Sequence, residues 1–188
     1  MAAIDSRTAG VLPPLTDAGN DPEKVIKAYV AAVTGLDAAL VRRRWYPKPL
    51  ERPSLSTDWC AVGLSGHEIE GTPALSHSDS DFSAADGGIT RVSEIQRLTF
   101  QASFYGPNAQ LFADRFRLGV CVGQNNEYLK SMGMTLVSLN PRVVRIPELF
   151  GAVWADRYDV DFVVGRALAH EFGVRSIHSA DSFFVVDR

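Results

Sequence analysis

Apolar and polar positions change rhythm several times along this chain, and each change marks an element. Leu98, Phe100, Ala102 and Phe104 alternate with Thr99, Gln101 and Ser103, the period-2 pattern of a strand with one buried face. Gly106-Pro107-Asn108 ends that strand, because proline cannot extend a ladder and Asn favours a helix N-cap. From there Phe112, Ala113, Phe116 and Val120 fall three or four apart, which predicts a helix over about residues 108–122. Asp21-Pro22-Glu23 has a capping residue, a first-turn proline and an acid near the positive helix end. Val25, Ile26, Tyr29, Val30 and Val33 then form one apolar face, and Gly35 closes the helix.

The remaining pattern fills in strands. Trp59 to Leu64 reads as one, and Ile89 to Phe104 as a long one. The polar, Gly-containing segment 76–88 reads as the hairpin tip or loop between them. Glu127 to Ser131 suits a short helix, and Thr135 to Leu139 a β-branched strand. In residues 157–164, Tyr158, Val160, Phe162 and Val164 face the core, while Asp159 and Asp161 face outward. Residues 182–187 read as a last short strand, and residues 1–20 as a poorly ordered arm. The expected organisation is this arm followed by a single α/β domain over residues 21–188.

Composition narrows the classes. A chain of 188 residues fits one domain. At that size about 70% of the unfolded surface is buried, without need of a metal or disulfide staple. The net charge of −3 argues against tight nucleic-acid binding over the whole surface. Cys60 and Cys121 have no neighbour at metal-ligand spacing and read as reduced, buried thiols. No apolar run approaches the roughly 20 residues that span a bilayer, and Met1 to Arg7 lacks a signal-peptide core.

Catalytic templates fail on spacing. His67-Glu68 and His170-Glu171 would need histidines where Gly71 and Val174 stand. Asp79-x-Asp81 opens like a calcium loop, but Ala84 occupies the glycine position and Phe82 sits among the ligands. Gly63-Leu64-Ser65-Gly66 is one residue short of a nucleophile elbow. The four histidines, 67, 77, 170 and 178, read as ordinary surface or singly bonded groups, and His77 with Asp79 and Asp81 as no metal site. No catalytic residue, cofactor or metal is expected, which points to a scaffold rather than an enzyme.

Residues 42–57 are extended, basic and aromatic, since their prolines forbid a continuous helix or a central strand. Arg42, Arg43, Arg44, Trp45 and Tyr46 are the best candidate contact surface, because arginine and aromatics dominate interface hot spots. Three readings stay open for them: a protein contact, a solvated loop with Trp45 laid on the core, and phosphate binding with base stacking. Asp159 and Asp161 are candidate lumen or interface acids, against the plainer reading of a solvated strand face.

Several segments together resemble the small tail terminator, or neck, proteins of long-tailed bacteriophages and prophages. They are Arg42-Arg43-Arg44-Trp45-x-Pro47-x-Pro49 with Asp58-Trp59, and Ser103-Phe104-Tyr105-Gly106. Further on come Gln124-Asn125-Asn126-Glu127-x-Leu129 with Gly133-Met134, then Pro147-Glu148-Leu149, then Trp154-x-x-Arg157-Tyr158-Asp159-Val160-Asp161-Phe162. The pieces are short, but their order and spacing over residues 36–166 are specific; Tyr46 and residues 66–88 depart from the pattern. The resemblance implies an α+β fold, with a mixed, mostly antiparallel sheet flanked by helices. It implies a structural virion protein, assembled in the host cytoplasm as a homohexameric ring at the neck. The ring would cap the tail tube protein, stop tube growth and meet the head-completion or connector protein, and a sheath protein where the tail contracts. DNA would pass through the lumen without specific binding, and no membrane is involved. The alternatives are a small enzyme with a His-based site and a monomeric adaptor.

Overall fold

The computed structural model describes residues 11–15, 19–46, 51–78, 87–140 and 142–175. Among them, helix α1 spans Pro22–Thr34 and strand β1 Val41–Arg43. Two long strands follow, β2 (Trp59–Ser78) and β3 (Gly87–Tyr105). Helices α2 (Ala109–Gly119) and α3 (Gly123–Ser131) come next, then β4 (Met134–Leu139) and β5 (Val144–Arg145). A small hairpin, β6 (Glu148–Phe150) and β7 (Val153–Ala155), precedes the long β8 (Arg157–Arg175). The main sheet has the order β1-β2-β3-β8-β4, with β5 also on β8. β1 runs parallel to β2, and β4 and β5 run antiparallel to β8, so the fold is α+β with a mixed, mostly antiparallel sheet.

The chain groups into two compact units, Asn20–Gly71 with Ile95–Ala167, and Met1–Gly19 with Thr72–Glu94 and Leu168–Arg188. In the first, one face of the sheet is dry. Val62 of β2, Leu98, Phe100, Ala102 and Phe104 of β3, and Val160, Phe162 and Val164 of β8 are all buried. α1 and α2 cover them: Tyr29, Val30, Ala113 and Phe116 belong to the same core cluster. Phe116 is the ring that the core aromatics share, with ring centres 5.1 Å from Phe162 and 6.0 Å from Phe104, and Tyr29 edge-on at 6.3 Å.

Local signals act as the sequence suggests at α1. Asp21 accepts a hydrogen bond from the Glu23 amide, and Gly35 takes the left-handed conformation at φ 76°. At α2 the capping differs. Asn108 occupies the N-cap position without capping; its amide and side chain both donate to Asp58, at 2.7 and 2.9 Å. Gly106 permits this approach, at φ 107°, because a Cβ there would lie 2.7 Å from the Asp58 Cα.

Three sequence expectations change. β2 continues well past Leu64, to Ser78, through residues 65–75, to which the residue pattern assigns no element, and into the start of the segment 76–88, which reads as a hairpin tip or loop. β8 likewise runs on to Arg175. Cys121 is exposed, whereas Cys60 is fully buried. In the second unit, the Leu15 amide donates to the Glu171 carbonyl at 2.7 Å, and His77 contacts the Thr90 hydroxyl at 3.2 Å. The expected strand at 182–187, most of the arm, Asp79, Asp81 and His178 lie outside the described residues. No described helix is long and apolar enough to cross a membrane.

The aromatic wedge gives a direct test of this packing. Phe116→Ala should lower unfolding free energy by about 3–5 kcal/mol, since a buried Phe loses both transfer energy and cavity contacts. Urea titration followed by circular dichroism measures it.

Candidate functional site

The strand period that buries one sheet face sends a different set of side chains to the other. Arg42 comes from β1 and Arg44 directly follows it, Trp59, Ala61 and Gly63 come from β2, Gln101, Ser103 and Tyr105 from β3, and Asp159 and Asp161 from β8. Arg43, between the two cluster arginines, takes the opposite face. It pairs with Asp21 at the start of α1 and approaches Glu23 at 3.8 Å. The arginine run is therefore split by alternation, and Arg43 serves the helix end.

Trp45 lies against β2 but keeps 56% of its surface exposed. Gly63 provides its seat: a Cβ at that residue would come 2.8 Å from Cε3 of the indole and 2.8 Å from the Arg44 Cβ. The Arg44 guanidinium also stands 5.7 Å from the Trp45 ring centre. Tyr46 is exposed, with its hydroxyl near the Arg43 amide at 3.3 Å.

A polar network fills the middle of this face. Arg157 holds Asp159 with two bonds, at 2.8 and 2.5 Å, and reaches Glu148 at 3.6 Å. Arg52 meets the same Glu148 at 3.6 Å, and the Tyr105 hydroxyl donates to it at 3.3 Å. The hydrogen bonds that Arg157 donates to the Asp159 carboxylate hold its guanidinium firmly protonated. Arg44 donates to Gln101 and to Ser103, and Gln101 donates to Asp161 at 3.0 Å. Among the described residues, Arg42 and Arg44 bond only to carbonyl and neutral side-chain oxygens.

This corrects the picture of an acidic, solvated strand face. Asp159 does turn away from the helices, yet it is only 2% exposed and is neutralised by Arg157 of its own chain. Arg145 pairs with Asp156, at 2.7 Å. Asp161 is half-buried. Strand alternation gave the correct face but not what covers it.

Two adjoining hollows open on this surface. One is an aromatic cavity of about 530 Å³ whose walls include Trp59, Tyr105, Phe150 and Trp154. Trp59 stacks on Tyr105 at 4.2 Å, Phe150 meets Tyr105 edge-on, and Arg52 covers Phe150 at 4.3 Å. The other is a cleft of about 340 Å³ that takes in the Arg42–Tyr46 run and Arg157. They share Arg52, Pro53, Trp59 and Tyr105. All three tryptophans of the chain, 45, 59 and 154, thus meet on one surface. The β6–β7 hairpin adds exposed Leu149, Val153 and Trp154, a contribution that the residue pattern alone did not reveal.

Such a surface has the composition of a protein contact, with exposed Trp45 and Trp154 and several arginines around an aromatic hollow and a polar cleft. Among the described residues no histidine lines either hollow, and His67 is exposed on β2. Among the described residues no three His, Cys, Asp or Glu side chains are grouped to hold a metal ion.

Residues 20–183 match the family model of the phage neck terminator protein. The chain belongs to that family. No curated protein matches it. Membership makes this neck terminator a structural component of the phage particle. The site described above lies wholly within the matched span.

Two measurements test the network. Asp159→Ala removes the two bonds that Asp159 accepts from Arg157, leaves that guanidinium only Glu148 at 3.6 Å, and should cost about 1–3 kcal/mol in urea unfolding. Burial and the Glu148 charge push the Tyr105 phenol up to about 12. An unfolded tyrosine ionises at about 10, so the folded form keeps a proton that the unfolded form loses between these values. That contribution to stability is complete below pH 10 and fades as pH rises toward 12. Melting temperature should therefore fall less steeply over this range in Tyr105→Phe than in the wild type.

Proposed function

We propose that this neck terminator acts as a homohexameric ring at the top of the tail. The ring caps the tail tube, stops its growth and offers its other side to the head connector. Family membership supports the position in the particle. The observation that carries the contact surface is the meeting of Trp45, Trp59 and Trp154 with Arg42, Arg44 and Arg52 on the sheet face away from the helices. An exposed surface of this composition is suited to burial against protein, and a closed ring buries the same surface in every copy. The role is structural rather than enzymatic. DNA passes the lumen without specific binding, and of the two strand acids Asp161 is the one with exposure left for the wall or for a neighbour.

Trp45 is the residue to test, because its exposure separates assembly from folding. Trp45→Ala should leave the melting temperature within a few degrees of wild type. It should weaken ring or neck assembly by about 2 kcal/mol or more, the usual effect of removing an interface tryptophan. Light scattering of the purified protein, alone and with tail tube protein, reads the assembly. Wild-type assembly by Trp45→Ala would remove Trp45 from the interface, and a wild-type protein that stays monomeric with tube protein would reject the ring.

A further inference from the structure

We infer that the aromatic cavity and the arginine cleft beside it receive the proline-rich arm of a second copy of this chain, residues 11–17. The inference rests on the self-assembly reading above in needing two copies in contact, and it adds which segment bridges them.

The cavity selects the chemistry. Its walls are stacked and edge-on aromatic rings, Trp59, Tyr105, Phe150 and Trp154. Aromatic-lined grooves suit polyproline segments, which present flat rings and are extended before they bind. The chain has one Pro-Pro pair, in Val11-Leu12-Pro13-Pro14-Leu15. That stretch has no helix or strand, and Val11, Pro13 and Pro14 are exposed in the single chain, Val11 by 89%. Its Leu15 amide donates to the Glu171 carbonyl of the same chain, the one backbone bond among the described residues that the exchange would give up.

Charge selects the direction. Asp17 follows the prolines in sequence, and residues 11–21 include no Lys or Arg. The cleft next to the cavity holds Arg42 and Arg44, neither paired with a carboxylate among the described residues. In a polyproline conformation the four steps from Pro13 to Asp17 cover about 12 Å. With the prolines between the rings, Asp17 is then carried toward the arginines of the adjoining cleft. The two hollows share the Trp59 and Tyr105 walls, so one extended segment serves both.

The test uses full-length chains in a Cys121→Ser background, which removes the exposed thiol and leaves buried Cys60. One variant carries Pro14→Cys. The other carries Val153→Cys, at a half-exposed cavity residue. The two are mixed under oxidised glutathione. The expected result is a disulfide heterodimer at least tenfold more abundant than either homodimer. It should fall about tenfold when the Val153→Cys chain also carries Trp154→Ala, or the Pro14→Cys chain Asp17→Lys. Circular dichroism of each variant verifies folding. A heterodimer no more abundant than the homodimers overturns the inference, as does a chain carrying both Pro14→Cys and Val153→Cys that closes its disulfide only within itself. Light scattering of the wild type separates this from the ring: rings without the heterodimer reject the arm alone, and the heterodimer without rings rejects the hexamer alone.

Discussion

The packing of Phe116 between Phe104 and Phe162 is the contact on which the remaining arrangement of the larger unit depends. It joins α2 to two neighbouring strands at once, and Tyr29 brings α1 onto the same ring. Because the helices take this face, every strand residue one step out of phase is sent to the other side. The contact surface is thus a consequence of the core. A strand slipped by one residue would exchange Phe104 for Tyr105 and Phe162 for Asp161, and would lose both faces together.

The second face meets a different requirement. It carries charges that are partly removed from water, which is tolerable only if they are paired. Asp159 is answered by Arg157, and Glu148 by Arg157, Arg52 and the Tyr105 hydroxyl. Buried pairs of this kind add little net stability, but they fix positions, since each partner is costly to leave alone. Here they hold the β6–β7 hairpin, through Glu148, beside Tyr105, and so shape the aromatic cavity. Arg42 and Arg44 stand apart from this balance, which leaves net positive charge next to exposed tryptophan. That combination suits an acidic, apolar protein segment better than a catalytic task.

Much of this was legible in the residues, and the exceptions share a cause. Asp21, Pro22 and Gly35 bound α1 because caps act on backbone groups only a few residues away. The period-2 runs placed Leu98 to Phe104 and Val160 to Val164 on the buried face. β2 beyond Leu64 was not readable, because His67 to Ser78 are all exposed and no buried side imposes alternation. Asn108 was readable as the residue before α2, but the carboxylate it bonds is that of Asp58, 50 positions away, which no local pattern announces.

The residue pattern alone was enough for most of the elements, the ends of α1, the face taken by each core strand residue and the family. What those faces meet was settled by folding. Arg43 left its neighbours for α1, Asp159 was covered and paired, and Trp45, Trp59 and Trp154 came together on one surface. The physical reason is range. Periodicity and capping arise from the geometry of a few consecutive residues, whereas burial of a polar face and convergence of distant aromatics follow from strand order and pairing, which only the folded chain fixes.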